Sequence, residues 1–108
     1  MKTMFLVCTF TWGLVFAAAT NAAVNDAKGT QLAGKYNCQA CHAVDKKIVG
    51  PSYKEVAKKY AGDKSEAEKL EHKVKSGGSG VWGSIPMPPN NVPEGDLKTL
   101  VEWILASK

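Results

Sequence analysis

Residues 37–42 read Asn-Cys-Gln-Ala-Cys-His, two thiols and an imidazole within one turn's length of chain. Three chemistries use such a set. A thiol–disulfide switch uses the two cysteines alone, and a structural zinc site adds two further ligands. Covalent haem attachment uses all three residues at once. The choice decides the fold, because a chain this small buries little apolar surface unless a staple or a prosthetic group completes its core.

The rest of the sequence separates the three. A thioredoxin-like pair opens a helix in a βαβ unit, and no convincing strand pattern follows Cys41. Once the leader described below is set aside, a zinc ion is offered Cys38, Cys41, His42 and His72. His42 abuts Cys41, so a tetrahedron is awkward. Haem attachment fits the spacing as it stands. Cys38 and Cys41, two residues apart, span neighbouring porphyrin vinyls as thioethers, and His42 is carried under the ring to the iron. A single covalently bound haem c is the expected cofactor.

Upstream, Lys2 precedes an uncharged apolar stretch from Met4 to Ala19, followed by Thr20-Asn21-Ala22-Ala23. This pattern predicts a secretory signal over residues 1–22, cut at 22 or 23, and one domain over 23–108. The stretch is short for a membrane span, and Val7 is not the small residue that a lipid-modified Cys8 requires. Cleavage removes Cys8, Met1 and Met4, leaving Cys38 and Cys41 as the remaining cysteines and Met87 as the remaining methionine. The periplasm is the expected location.

Four amphipathic helices are predicted, giving an all-α domain wrapped around the haem. The first spans about Asp26 to Tyr36, capped by Asn25 or Asp26, with Leu32, Ala33 and Tyr36 inward. The second starts at the capping box Ser52-x-x-Glu55, buries Tyr53, Val56, Ala57 and Tyr60, and ends at Ala61-Gly62. The third repeats the device at Ser65-x-x-Glu68, buries Ala67, Leu70 and Val74, and stops at Gly77-Gly78. The fourth runs from near Pro93 with Leu97, Leu100, Val101, Ile104 and Leu105 on one face.

Between the last two helices lies GGSGVWGSIPMPPNNV, residues 77–92. Four glycines and three prolines exclude a regular helix or central strand, and a loop this long in a small domain is usually functional. Prolines on both sides of Met87 restrict its backbone and present one thioether on a stiff arch. With the iron held by His42, Met87 is the best sixth ligand the chain offers. His72 is the alternative, set among Glu71, Lys73 and Lys75 on the polar side of the third helix. His/Met ligation fills both axial positions and predicts an electron carrier without substrate turnover.

From Cys38 onward the chain resembles the small bacterial class I cytochromes c of the c-551/c-552 type. The matching segments are CQACHAVDKKIVGPSYKEVAKKYAG, GVWGSIPMPPN and the tryptophan-bearing LVEWIL. The resemblance implies Cys38 and Cys41 as covalent attachments and His42 and Met87 as axial ligands. It implies that the Pro51 carbonyl accepts the His42 ring proton, that Asn90 donates to the Met87 sulfur and that Trp82 donates to a haem propionate. Lys73 falls where relatives have a group near a propionate; Trp103 is read as packing. The implied donor is a cytochrome bc complex, and the implied acceptor is a nitrite reductase, terminal oxidase or peroxidase.

Charge is uneven. Residues 23–60 hold seven lysines against three acids, and residues 61–108 six lysines against seven acids. The basic half is expected to steer a monomeric carrier toward acidic patches on redox partners docking at the exposed haem edge. With no arginine and no aromatics interleaved in a basic stripe, nucleic acid is not an expected partner. No stable membrane insertion is expected once the leader is gone.

Overall fold

A computed structural model describes Gly13, residues 21–60 and residues 62–107. The leader expected over residues 1–22 lies outside these residues apart from Gly13, Asn21 and Ala22. The four helices are α1 (Asn21–Lys35), α2 (Tyr53–Tyr60), α3 (Lys64–Ser76) and α4 (Glu94–Leu105). A single 3-10 turn, Cys38–Ala40, follows α1. Among the described residues the only β pairings are two isolated bridges, His42 with Lys47 and Gly78 with Met87. No described helix is long and apolar enough to cross a membrane.

Three helix starts show how local chemistry sets the boundaries. At α2 the capping box forms in both directions: the Glu55 N–H donates to the Ser52 hydroxyl, and the Ser52 N–H donates to the Glu55 carboxylate. At α3 the cap is Asp63 rather than Ser65. The Asp63 carboxylate accepts both the N–H and the hydroxyl of Ser65, so that hydroxyl is already engaged and the helix begins earlier than the expected box. The third case is α1, which begins at Asn21, ahead of the expected cap at Asn25 or Asp26 and across the expected cut. Asp26 lies inside the helix, where its carboxylate accepts the Trp103 indole N–H at 2.9 Å.

The hub is α4, which packs against each of the other three helices. One cluster joins Leu32, Ala33, Tyr53, Leu100 and Trp103; a second joins Val74, Val92, Leu97 and Val101. The crossing of α1 on α4 is close enough that a Cβ on Gly29 would overlap the Trp103 ring. Trp103 therefore packs as expected, and its N–H is satisfied as a buried indole requires. The same crossing is tied at its other end, where the Tyr36 hydroxyl donates to Asp96 at 2.6 Å. Ile104 and Leu105 are half-buried at the edges of the two clusters. Between the clusters and the loops the helices leave a cavity.

Candidate functional site

The cavity has a volume of about 450 Å³, within the usual range for a cofactor site. One wall is the 37–42 segment. Asn37 takes a left-handed conformation, φ 60° and ψ 25°, which asparagine tolerates better than most residues. That kink ends the run from α1 and starts a tight turn. Cys41 N–H and His42 N–H both donate to the Cys38 carbonyl, at 3.2 and 3.0 Å. One backbone oxygen thus gathers the three side chains of the motif onto one turn, and all three line the cavity.

His42 is oriented by its neighbours. Its Nδ1 lies 2.7 Å from the Pro51 carbonyl oxygen. A carbonyl only accepts, so Nδ1 carries the proton and Nε2 keeps a free lone pair, as a metal-binding imidazole requires. Gly50 lies against the same ring, and a Cβ there would overlap the imidazole. The Val49 and Gly50 N–H groups both donate to the Cys41 carbonyl, which holds this loop on the turn. Tyr53 stacks on the other side, with ring centroids 5.6 Å apart and planes 21° apart.

The arch supplies another wall. Gly77 ends α3 at φ 70°, its N–H donating to the Lys73 carbonyl at 2.8 Å. Gly78 and Met87 then exchange two backbone hydrogen bonds, of 3.1 and 2.8 Å, which close the neck of the arch. Val74 accepts the Asn90 N–H at 2.9 Å and fixes the descending limb. The Asn90 side-chain amide donates to the Pro88 carbonyl at 2.9 Å. An amide nitrogen has two N–H groups; the contact found for this one is to Pro88, not to the Met87 sulfur that the resemblance implies. Trp82 meets Tyr60 edge-on at 6.4 Å, and the Lys59 ammonium lies over both rings.

All eight residues singled out from the sequence line this one cavity: Cys38, Cys41, His42, Pro51, Lys73, Trp82, Met87 and Asn90. His72 is exposed on α3 and does not line it. Among the described residues no three His, Cys, Asp or Glu side chains come together to hold a metal ion, so the zinc reading has no support. Cys38 and Cys41 are not joined to each other by a disulfide. Burial pushes the Cys38 thiol above its ordinary value, the opposite of the activation that an exchanging thiol needs. Two sites were missed from sequence: Gly50, which makes room for the imidazole, and the Tyr53 hydroxyl. Burial, and after it the charge of Cys38, holds the Tyr53 phenol well above its ordinary value. The signal available for Tyr53 was a tyrosine, rather than phenylalanine, at a buried helical position.

These features fit a haem. Two thiols and a correctly protonated imidazole share a turn, a thioether faces the same space, and a buried hydroxyl there lacks a partner among the described residues. Residues 27–108 match the family model described as Cytochrome c. Cytochrome c-551 of Azotobacter vinelandii is 55% identical over 80 residues, covering 74% of this chain and 98% of that relative. Cytochrome c-552 of Nitrosomonas europaea is 48% identical over 99 residues, covering 90% of this chain and 96% of the relative. A crystal structure of wild-type N. europaea cytochrome c552 superposes with a TM-score of 0.71 at 54% identity, covering 73% of this chain and 99% of that one. The chain belongs to the cytochrome c family and is a small electron carrier with one covalently attached haem c.

Proposed function

We propose that Cys38 and Cys41 hold the haem through thioethers, that His42 and Met87 are its axial ligands, and that the protein shuttles single electrons between respiratory partners in the periplasm. One observation carries the reading: His42 from the attachment turn and Met87 from the arch reach the same cavity, with both thiols on its wall. The bound haem supplies a one-electron ferric/ferrous couple. The chain supplies the rest. Pro51 sets the His42 tautomer and ring angle. The neck at Gly78 fixes the Met87 backbone, which would hold the sulfur ready for the iron. With His42 and Met87 both given to the iron, the chain would leave it no open position for a substrate. Trp82 and Lys73 serve the propionates, and the second N–H of Asn90 serves the Met87 sulfur.

Electrons would pass at the mouth of the cavity. Ile48 and Val49 beside the attachment turn, and Val81 and Ile85 on the arch, are exposed apolar residues that line the cavity, and Val44 next to the same turn is also exposed. Lys46, Lys47, Lys54, Lys58 and Lys59 are exposed in the same half of the chain. This combination suits brief docking on an acidic partner, with long-range steering by charge. The leader over residues 1–22 delivers the chain to the periplasm, where it acts as a monomer. By family analogy electrons come from a cytochrome bc complex and go to a nitrite reductase, terminal oxidase or peroxidase.

The test is the absorption spectrum of the purified protein, oxidised and reduced. Methionine sulfur on ferric haem gives a weak long-wavelength charge-transfer band. The expected result is that band in the native protein and its loss in Met87→Ala. A covalent haem without the band, together with carbon monoxide binding to the reduced native protein, would overturn the carrier reading in favour of an open ligand site.

A further inference from the structure

Tyr53 carries the one buried side-chain nitrogen or oxygen, among the described residues, that has no hydrogen-bond partner. The residue is 3% exposed and lines the cavity. Its ring is clamped, stacked on His42 on one side and edge-on to Trp103 at 5.0 Å. The hydroxyl therefore cannot swing away to find a partner. Leaving such a group unsatisfied costs on the order of 1–3 kcal/mol, and phenylalanine would fill the same space without that cost. A tyrosine at this position implies an acceptor that is presented to it when the cavity is filled.

Cys38 is where that acceptor arises. Its side chain packs against the cluster that contains Tyr53. As a free thiol, Cys38 donates to the Tyr36 carbonyl over 3.9 Å. Attachment adds the thiol across a vinyl double bond: the S–H bond breaks, a C–S bond forms, and the hydrogen goes to the other vinyl carbon. No oxidant is required. The sulfur then has no proton to donate to the Tyr36 carbonyl and can only accept.

We infer that, in the haem-bearing protein, the Tyr53 hydroxyl donates a hydrogen bond to the thioether sulfur of Cys38 and so acts as a positioning residue for one edge of the macrocycle. The inference rests on Cys38 being an attachment point. Such a bond draws electron density from the sulfur and favours the reduced state. It also sets the two thioethers apart, because Cys41 has no such donor assigned to it.

The experiment compares native and Tyr53→Phe proteins, each first checked for haem that stays attached after denaturation. Absence of attached haem in the native protein would refute the attachment reading; the outcomes below concern the hydrogen bond alone. At one fixed solution potential, Tyr53→Phe is expected to raise the oxidised-to-reduced ratio about threefold, the scale of one weak hydrogen bond. In a Cys38→Ala background, attached through Cys41 alone, the same substitution is expected to leave the ratio unchanged. Proton NMR of the native protein is expected to show a slowly exchanging phenolic proton close to the Cys38 β-protons. An unchanged ratio in Tyr53→Phe, an equal change without Cys38, or a phenolic proton facing a propionate, a carbonyl or a water would each overturn the inference. The NMR arm decides the matter even if Tyr53→Phe does not fold.

Discussion

Gly50 is the clearest case of a residue defined by what its neighbour needs. The His42 ring occupies the place where a side chain at position 50 would begin, while the next residue, Pro51, accepts the ring proton. A methyl group there must push the imidazole off its hydrogen bond or push the loop away from Cys41. With His42 as the proposed iron ligand, Gly50→Ala is expected to weaken its hold on the iron, and in reduced samples carbon monoxide should bind the variant at least tenfold more readily than the native protein. Titration followed by absorption reads this directly. A variant that binds exogenous ligand no better than the native protein would show that the loop absorbs the methyl group. The Cys-x-x-Cys-His turn itself was legible because its chemistry is local. Gly50 was not, because its role depends on a ring eight residues away whose orientation no pattern of types reveals.

At the scale of elements, the capping box of α2 is the device with the most consequence for the site. Ser52 is almost wholly buried and directly follows the carbonyl that holds His42. Ser52→Ala is expected to destabilise the domain by about 1 kcal/mol, the usual value of an N-cap. For a domain of this size that lowers Tm by roughly 4–8 °C, and calorimetry with haem retained checks it; an unchanged Tm would show that Glu55 alone holds the turn. This box was readable from sequence because both partners lie within one turn, and it forms as expected. The similar box at Ser65 fails for an equally local reason: Asp63 is a stronger acceptor two residues earlier. The start of α1 was misread for a different reason. Asp26 has the chemistry of a cap, but its carboxylate is claimed by Trp103, 77 residues along the chain. Helix faces, by contrast, followed from periodicity, since Leu32, Val56, Val74, Leu97 and Leu100 are buried as their spacing demands.

In the whole molecule, α1 and α4 act as a brace behind the cavity, fastened by Tyr36 to Asp96, with Lys35 3.8 Å from the same carboxylate. The hydrogen bond to Asp96, and after it burial, raises the Tyr36 phenol above its ordinary value of 10.0, with Lys35 opposing. A raised value in the fold means that the contribution is complete below the unfolded value and is lost as pH rises through the folded one. Native stability is therefore expected to fall above pH 10, and Tyr36→Phe to flatten that part of the profile while being less stable at neutral pH. Denaturant midpoints on both sides of pH 10 test this, and parallel profiles would remove Tyr36 from the brace. The neck of the arch has a consequence of another kind. Because Gly78 and Met87 close it through their own backbones, residues at the tip such as Val81 and Ile85 are decoupled from the position of the sulfur. Lengthening a closed loop is inexpensive, about 0.6 kcal/mol for each doubling. The tip can thus be lengthened, shortened or redecorated, and the proposed docking face changed with it, while Met87, the proposed iron ligand, keeps its place.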